Sequence, residues 1–360
     1  MGRISVDQFC AGFAAGDAIS NEALLIQEYL RRSGYTSEIY SENFAEKDAG
    51  RIRHFRTYRG SSDSILIYHY SFFTRMLRML PGLPCKKLMV FHNVTPGKYV
   101  RPYNRRLADS LDQAREALEE LRPCFSSVLA DSRYNAGELR KMGYSDVEVK
   151  PVLFSRPRPA ESSAMLPYLQ EGKKNIIFVG RVFPNKMHQD LIKSFYFFKK
   201  IYPEARLICV GSFHPGVRAY TAEIRNLVTE LDLNQDVVFT GMVSDAEVAA
   251  CYRAAHLFFS MSDHEGFCVP LAECMYLDIP VVARAAAAVP ETLGTGGILI
   301  KGNDYPAIAE TMAMVLESEE IQENIRIGQK EEIQRLQPQR GLAVVQKELQ
   351  SLGLHLPEAP

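Results

Sequence analysis

Short runs rich in Val, Ile and Phe alternate along the chain with stretches of ten or more residues whose apolar positions recur at helical spacing. Brief strands followed by amphipathic helices make βα units, so the pattern predicts a mostly parallel sheet. It occurs twice. In the first half, strands are expected near 4–9, 37–41, 64–68, 88–92, 128–131 and 147–150, with a helix over 20–32 stopped by Gly34. Three prolines and several serines then break every periodicity in SRPRPAESSAMLPYLQEG, from 155 to 172, as a domain-connecting segment does.

The pattern restarts with NIIFVG at 175–180 and continues through a helix over 190–200, RLICVG at 206–211 and a helix over 220–231. VVFTG at 237–241 is followed by a helix over 244–255, with Ser244 and Glu247 spaced as a capping box, then HLFFSMS at 256–262 and IPVVARA at 279–285. The expected fold class is α/β: two facing Rossmann-like, doubly wound parallel-sheet domains. The first spans 1–155, a linker spans 156–172, and the second spans 173–360, where the last helix could return to the first domain. Such sheets bind ligands beyond the carboxyl ends of their strands.

At 360 residues and 46% hydrophobic, the chain has material for two cores. A formal charge of -1 gives no global case for nucleic acid. With no signal pattern and no membrane-length apolar run, a soluble, cytoplasmic location is the expectation. Seven cysteines without a C-x-x-C pair point to reduced, buried thiols rather than a disulfide framework or a zinc site.

Candidate chemistry begins in MSDHEGFCVPLAEC, residues 261–274. Glu265 follows a strand, Gly266 and Phe267 turn the chain, and Pro270 opens a helix whose first amides lack intrahelical acceptors. That helix start suits an anion, and Glu273 lies about one turn further in. The two acids suit hydroxyls at opposite ends of one polyol ligand, with the anion between them. In VGRVFPNK a strand ends at Gly180, and Arg181 and Lys186 lie five apart in the loop that follows. Two such cations can clamp a diphosphate, and their effect grows as a leaving group gains charge. The chain contains no Asp-x-Asp, so these side chains are expected to replace a metal ion: no metal and no other cofactor are anticipated.

These features, with IPVVA and VPETLGTGGILI behind them, resemble the large retaining family-4 nucleotide-sugar glycosyltransferases, whose GT-B fold has two Rossmann-like domains. The likeness is strong from about 175 to 300 and looser in the first half. It implies that Arg181 and Lys186, in the loop headed by Gly180, grip the donor diphosphate. It further implies that Glu265 meets the donor sugar and Glu273 the ribose, with the backbone of Gly266, Phe267 and Cys268 on the sugar. Val269 and Leu271 would lie beside the phosphates, and Met242 and Val243 on the nucleobase. Cys268 and Cys274 depart from the commoner Gly and Ala. Gly16 and Asp17 belong to a glycine-bearing loop that, by the resemblance, closes over the donor phosphates.

The strand LMVFH ends at His92, which the resemblance makes an orienting residue and whose imidazole could also accept the acceptor hydroxyl's proton. His69 and Tyr70 end another strand and are candidate acceptor contacts. His264 and Glu291 are weaker ligand candidates, while His188 and Asp190 are read as loop surface and helix N-cap. Asn93 begins an Asn-Val-Thr triplet. Between 51 and 106 the chain carries twelve Lys and Arg against one acid, Asp63, interleaved with Phe72, Phe73, Leu77, Met79 and Leu80. A patch of that kind suits an anionic membrane surface or a lipid-linked acceptor, and so a peripheral place on the inner face of the cytoplasmic membrane. The expected partners are a nucleotide-sugar donor and a sugar or lipid-linked acceptor, with surface polysaccharide or glycolipid as product. A sugar-nucleotide epimerase or hydrolase and a non-catalytic nucleotide-sugar-binding module are the alternatives.

Overall fold

The computed structural model describes residues 4–14, 16–155, 169 and 172–356, so the expected linker lies almost wholly outside the described residues. Two compact units account for the chain. One comprises Met1–Gly97, Asp109–Ser155 and Leu336–Pro360, and the other Lys98–Ala108 with Arg156–Arg335.

The first unit is built on seven parallel strands: β1 (Val6–Phe13), β2 (Ile39–Phe44), β3 (Ile52–His54), β4 (Ile65–Tyr70), β5 (Lys86–Phe91), β6 (Ser127–Ala130) and β7 (Glu148–Val149). Their order is β3-β2-β1-β4-β5-β6-β7. The chain runs outward from β1 through β2 and β3, then returns to pair β4 with the other side of β1. That reversal is a topological switch point. Almost every residue of β1 is buried, because helices cover both faces of a doubly wound sheet and the strand therefore reads as an apolar run rather than an alternation. The Ala18–Arg32 helix starts where the Asp17 carboxylate accepts the Ser20 N–H at 3.2 Å, and it buries Ala23, Ile26 and Leu30. Val345, Leu349 and Leu352 of the C-terminal segment join the same core as Val6, Ile26, Leu88 and Leu129.

Six parallel strands form the second unit: β8 (Lys174–Val179), β9 (Ala205–Val210), β10 (Val237–Gly241), β11 (Leu257–Ser260), β12 (Val281–Arg284) and β13 (Ile298–Ile300). The order β10-β9-β8-β11-β12-β13 reverses between β8 and β11. Loops leaving these two adjacent strands start side by side. At the end of β9, Gly211 (φ 145°) lies so close to β8 that a Cβ would stand 2.2 Å from the Gly180 carbonyl oxygen, so no larger residue fits. Ile177, Ile208, Phe258, Leu271, Cys274 and Val281 are among the residues of its core. Residues 98–108 belong to this unit although they fall inside the first half of the sequence. There Asn104 Nδ2 donates to the Gly216 carbonyl at 2.8 Å, and Tyr103 meets Tyr220 edge to face at 5.1 Å.

β3 and β13 have three residues each, too few to display a period, and were not anticipated.

Candidate functional site

In the second unit, the switch point brings the loop after β8 against the loop after β11. Lys186 closes a 3-10 turn, Pro184–Lys186, and its Nζ donates to both carboxylate oxygens of Glu265 at 2.6 Å each. Two hydrogen bonds, one from a side chain and one between backbones, hold the loops in register: Asn185 Nδ2 donates to the His264 carbonyl at 2.7 Å, and the Asp263 N–H donates to the Asn185 carbonyl at 2.9 Å. Asp263 also accepts the Tyr99 hydroxyl at 2.5 Å. Arg181, by contrast, is exposed and has no ion pair among the described residues. It lies near enough to His214 that, after burial, its charge is the second influence pressing that imidazole's pKa down.

The helix that opens beside Glu265 is Val269–Tyr276, with Pro270 in its first turn. Its N-cap, Cys268, sits at φ 74°, a left-handed conformation that side chains other than glycine adopt at a penalty. Glu273 accepts the hydroxyl of buried Tyr252 at 2.6 Å. Burial pushes the Glu273 carboxyl up, the Tyr252 hydrogen bond opposes the rise, and Asp245 adds to it. Met242 is 85% exposed at the end of β10, an apolar side chain left free for a flat ligand, whereas Val243 leans on the core. The side chain of Leu271 is fully buried in the core, which leaves only its backbone, in the first turn of the helix, for a ligand. Phe267 is likewise buried, with its carbonyl accepting from Thr292, so only the backbone of that turn is left for a substrate. Gly266, Cys268 and Val269 are half-buried.

In the first unit, His92 stands in a buried polar cluster at the sheet's switch-point end. Gln8 gives its amide N–H to the Ala23 carbonyl at 2.8 Å, so its oxygen faces His69 Nε2 at 2.9 Å and that nitrogen carries the proton. His69 Nδ1 is then a lone pair, and His92 Nε2, 2.9 Å away, must donate to it. His92 Nδ1 meets Asp131 Oδ2 at 2.7 Å. Asp131 is ionised: burial would raise its pKa, but His92 and Lys150 hold it down at about 2. His92 is therefore protonated on both nitrogens. Burial alone would lower its pKa, and Asp131 and Glu22 outweigh that. Burial, with His92 and Lys150 close by, drives His69 well below the histidine range. Lys150, fully buried, pairs with Glu22 and with Asp131 at 3.1 Å.

This geometry corrects three expectations. With both nitrogens occupied and a 4% exposed side chain, His92 has no lone pair to take an acceptor's proton. His69 is wholly buried within the cluster rather than presented to an acceptor. Tyr70 is a core residue, its hydroxyl donating to the Ala114 carbonyl at 2.5 Å. Asp17 spends its carboxylate on the helix cap, and Gly16 (φ 84°) forms the turn before it. Glu22, His69 and His92 also offer ligand atoms within 4.8 Å of one another, the one such group among the described residues. The His92 proton and the Lys150 ammonium already neutralise it.

Other candidates resolve into structural roles. His188 is fully buried against Phe178 rather than a surface residue, its pKa pushed down to about 3 by burial and then by Lys186. Asp190 is not an N-cap: it is buried and accepts from Arg284 at 2.7 Å and Tyr305 at 2.9 Å. His264 is buried under Tyr99, and Glu291 lies in the first turn of the Val289–Leu293 helix. Asn93 is buried and bonded to Asn135, which closes the Asn-Val-Thr triplet to modification. Leu77 and Leu80 of the basic stretch are core residues. No helix among the described residues is long and apolar enough to cross a membrane. The sequence reading missed Glu22, Lys150, Tyr252 and Asn185. Lys150 alone left a signal, a cation inside an apolar strand end.

Comparison with known proteins bears on the second unit most. Residues 167–332 match the model of the glycosyl transferases group 1 family. The chain is 23% identical over 313 residues to the O-antigen chain mannosyltransferase B of Escherichia coli, covering 83% of this chain and 76% of that one. It is 32% identical over 161 residues to the D-inositol 3-phosphate glycosyltransferase of Corynebacterium efficiens, a match spanning 43% of this chain and 37% of that enzyme. Among solved structures, Anabaena HepE in complex with UDP and glucose superposes with a TM-score of 0.76 at 17% identity, over 97% of this chain and all of that one. Sucrose-phosphate synthase from Thermosynechococcus elongatus gives 0.74 at 16% identity, over 97% and 98%.

Proposed function

We propose that this chain, a GT-B glycosyltransferase of group 1, moves a hexosyl unit from a UDP- or GDP-linked sugar to an acceptor hydroxyl with retention of anomeric configuration. The observation that carries the reading is the meeting of Lys186 with Glu265 beside a helix N-terminus, in the loop that also carries Arg181, which has no ion pair among the described residues. Cations and helix amides suit a diphosphate, and a carboxylate suits sugar hydroxyls. Glu273 takes the ribose and Met242 lies under the base. No metal is required, because Arg181 and Lys186 supply the positive charge that the departing phosphate needs.

The C1–phosphate bond breaks as the acceptor oxygen bonds C1 from the same face, and the acceptor's proton passes to the departing phosphate oxygen. The protonated state of His92 favours that route over a histidine base. The names of several relatives, an O-antigen mannosyltransferase, a capsular polysaccharide glycosyltransferase and a monoglucosyldiacylglycerol synthase, support surface polysaccharide or glycolipid as the product class. Exposed Arg51, Arg56, Arg59 and Arg78 support an anionic, lipid-linked acceptor.

Transfer assays with a panel of UDP- and GDP-sugars test the assignment. Arg181→Ala and Lys186→Ala should each lower kcat by about 10²–10³-fold, while Glu273→Ala should chiefly raise the donor KM. Near-normal transfer by all three variants would overturn it.

A further inference from the structure

Without a ligand, the clamp is only half available. Lys186 directs two of its three N–H groups at Glu265, with 2.6 Å to each oxygen, and only 21% of its side chain and 9% of that of Glu265 are exposed. The pair is neutral, so an arriving diphosphate meets one uncompensated cation, Arg181. Were Glu265 to stay in place, its carboxylate would stand against a dianion on the same ammonium, and like charges sharing a half-buried site are strongly unfavourable.

We propose that Glu265 and the donor diphosphate exchange places on Lys186. This rests on reading Arg181 and Lys186 as the diphosphate clamp. When the sugar nucleotide binds, the diphosphate takes the Lys186 ammonium and Glu265 is released to accept hydrogen bonds from the sugar hydroxyls. Each half of the donor thereby compensates the partner that the other half displaced. After transfer the sugar has left and Glu265 has no hydroxyl to hold, so it returns to Lys186 and expels the nucleoside diphosphate. Glu265 is thus a product-clearing group as well as a sugar contact, and an intact donor is held while a spent one is rejected. The loop ties support a side-chain exchange: Asn185 bonds the Asp263 and His264 backbone, so the two side chains can part while the loops stay together.

Isothermal titration of the full chain with UDP and GDP, and with the matching sugar nucleotide, tests this. Glu265→Gln keeps size and hydrogen-bonding capacity but removes the charge. It should tighten nucleoside diphosphate binding roughly tenfold, equivalent to about 1.4 kcal/mol, without tightening the sugar nucleotide, and product inhibition should deepen by the same factor. Glu265→Ala should tighten the diphosphate in the same direction and decides the matter if the glutamine variant fails to fold by circular dichroism. Should folded Glu265 variants bind the diphosphate no tighter than the natural protein while Lys186→Ala binds it more weakly, the exchange is wrong and the clamp stands. If Lys186→Ala leaves diphosphate affinity unchanged, the clamp itself falls, and the exchange with it.

Discussion

Asp131 holds two cations at once, His92 through Oδ2 and Lys150 through Oδ1, all three nearly or fully buried. Its loss leaves both charges without their partner in a low-dielectric interior. Asp131→Asn should therefore destabilise the protein by about 3–5 kcal/mol at pH 7, measured by urea unfolding. The pH dependence has a fixed sign: the folded pKa, about 2, lies below the unfolded 3.8. The stabilisation is therefore present in full above pH 3.8, and the gap between variant and natural protein should shrink as pH falls through about 2. A gap that widens on acidification contradicts the assignment of charge. His92 was legible as a strand-end imidazole, but the partners of its two nitrogens, His69 and Asp131, lie 23 and 39 positions away in the sequence, and nothing local shows that both are spent. Lys186 and Glu265 were legible as a pair of roles, not as one ion pair.

At the scale of elements, periodicity located the longer strands and the helices Ala18–Arg32, His188–Ile201, Arg218–Glu230 and Asp245–Ala254, because covered strands read as apolar runs and these helices repeat an apolar face. It did not locate Arg105–Leu121, Tyr305–Glu317 or Glu319–Arg335. The Ser244–Glu247 capping box is present in both directions, the Ser244 hydroxyl on the Glu247 N–H and the Glu247 carboxylate on the Ser244 N–H. What periodicity does not show is how closely one element approaches another. Gly341, in the Pro338–Ser351 helix, lies where a Cβ would stand 2.6 Å from the Pro151 carbonyl oxygen. Helix propensity alone favours Gly341→Ala by about 1 kcal/mol, but the contact is with backbone, which cannot swing away. The substitution should instead destabilise by about 1–3 kcal/mol in urea unfolding; a gain in stability would show that the close approach is relieved elsewhere. Cys268 makes the same point from the other side. A turn that prefers glycine carries a side chain at φ 74°: the resemblance marked the departure from glycine, and the backbone angle gives its physical cost.

Over the whole molecule, the basic stretch from 51 to 106 is one block in sequence and two in structure. Eight of its twelve cations belong to the first unit and four, Lys98, Arg101, Arg105 and Arg106, to the second. Lys87 is buried, and Arg53 and Arg75 pair with Glu38 and Glu42. The remaining surface suits anionic headgroups by charge more than by apolar insertion, since Leu77 and Leu80 face the core. The full chain should float with phosphatidylserine vesicles at low salt, detach as salt is raised, and ignore neutral vesicles; salt-independent flotation, or none, contradicts an electrostatic surface. The amino-acid order by itself determined two runs of βα units, their α/β class and which strand-end loops carry the candidate charged residues, because period, caps and strand-end glycines are local properties. Tertiary structure alone decided which charges neutralise one another, which apolar residues are core, and that 98–108 joins the second unit, because those outcomes depend on contacts between residues far apart in sequence.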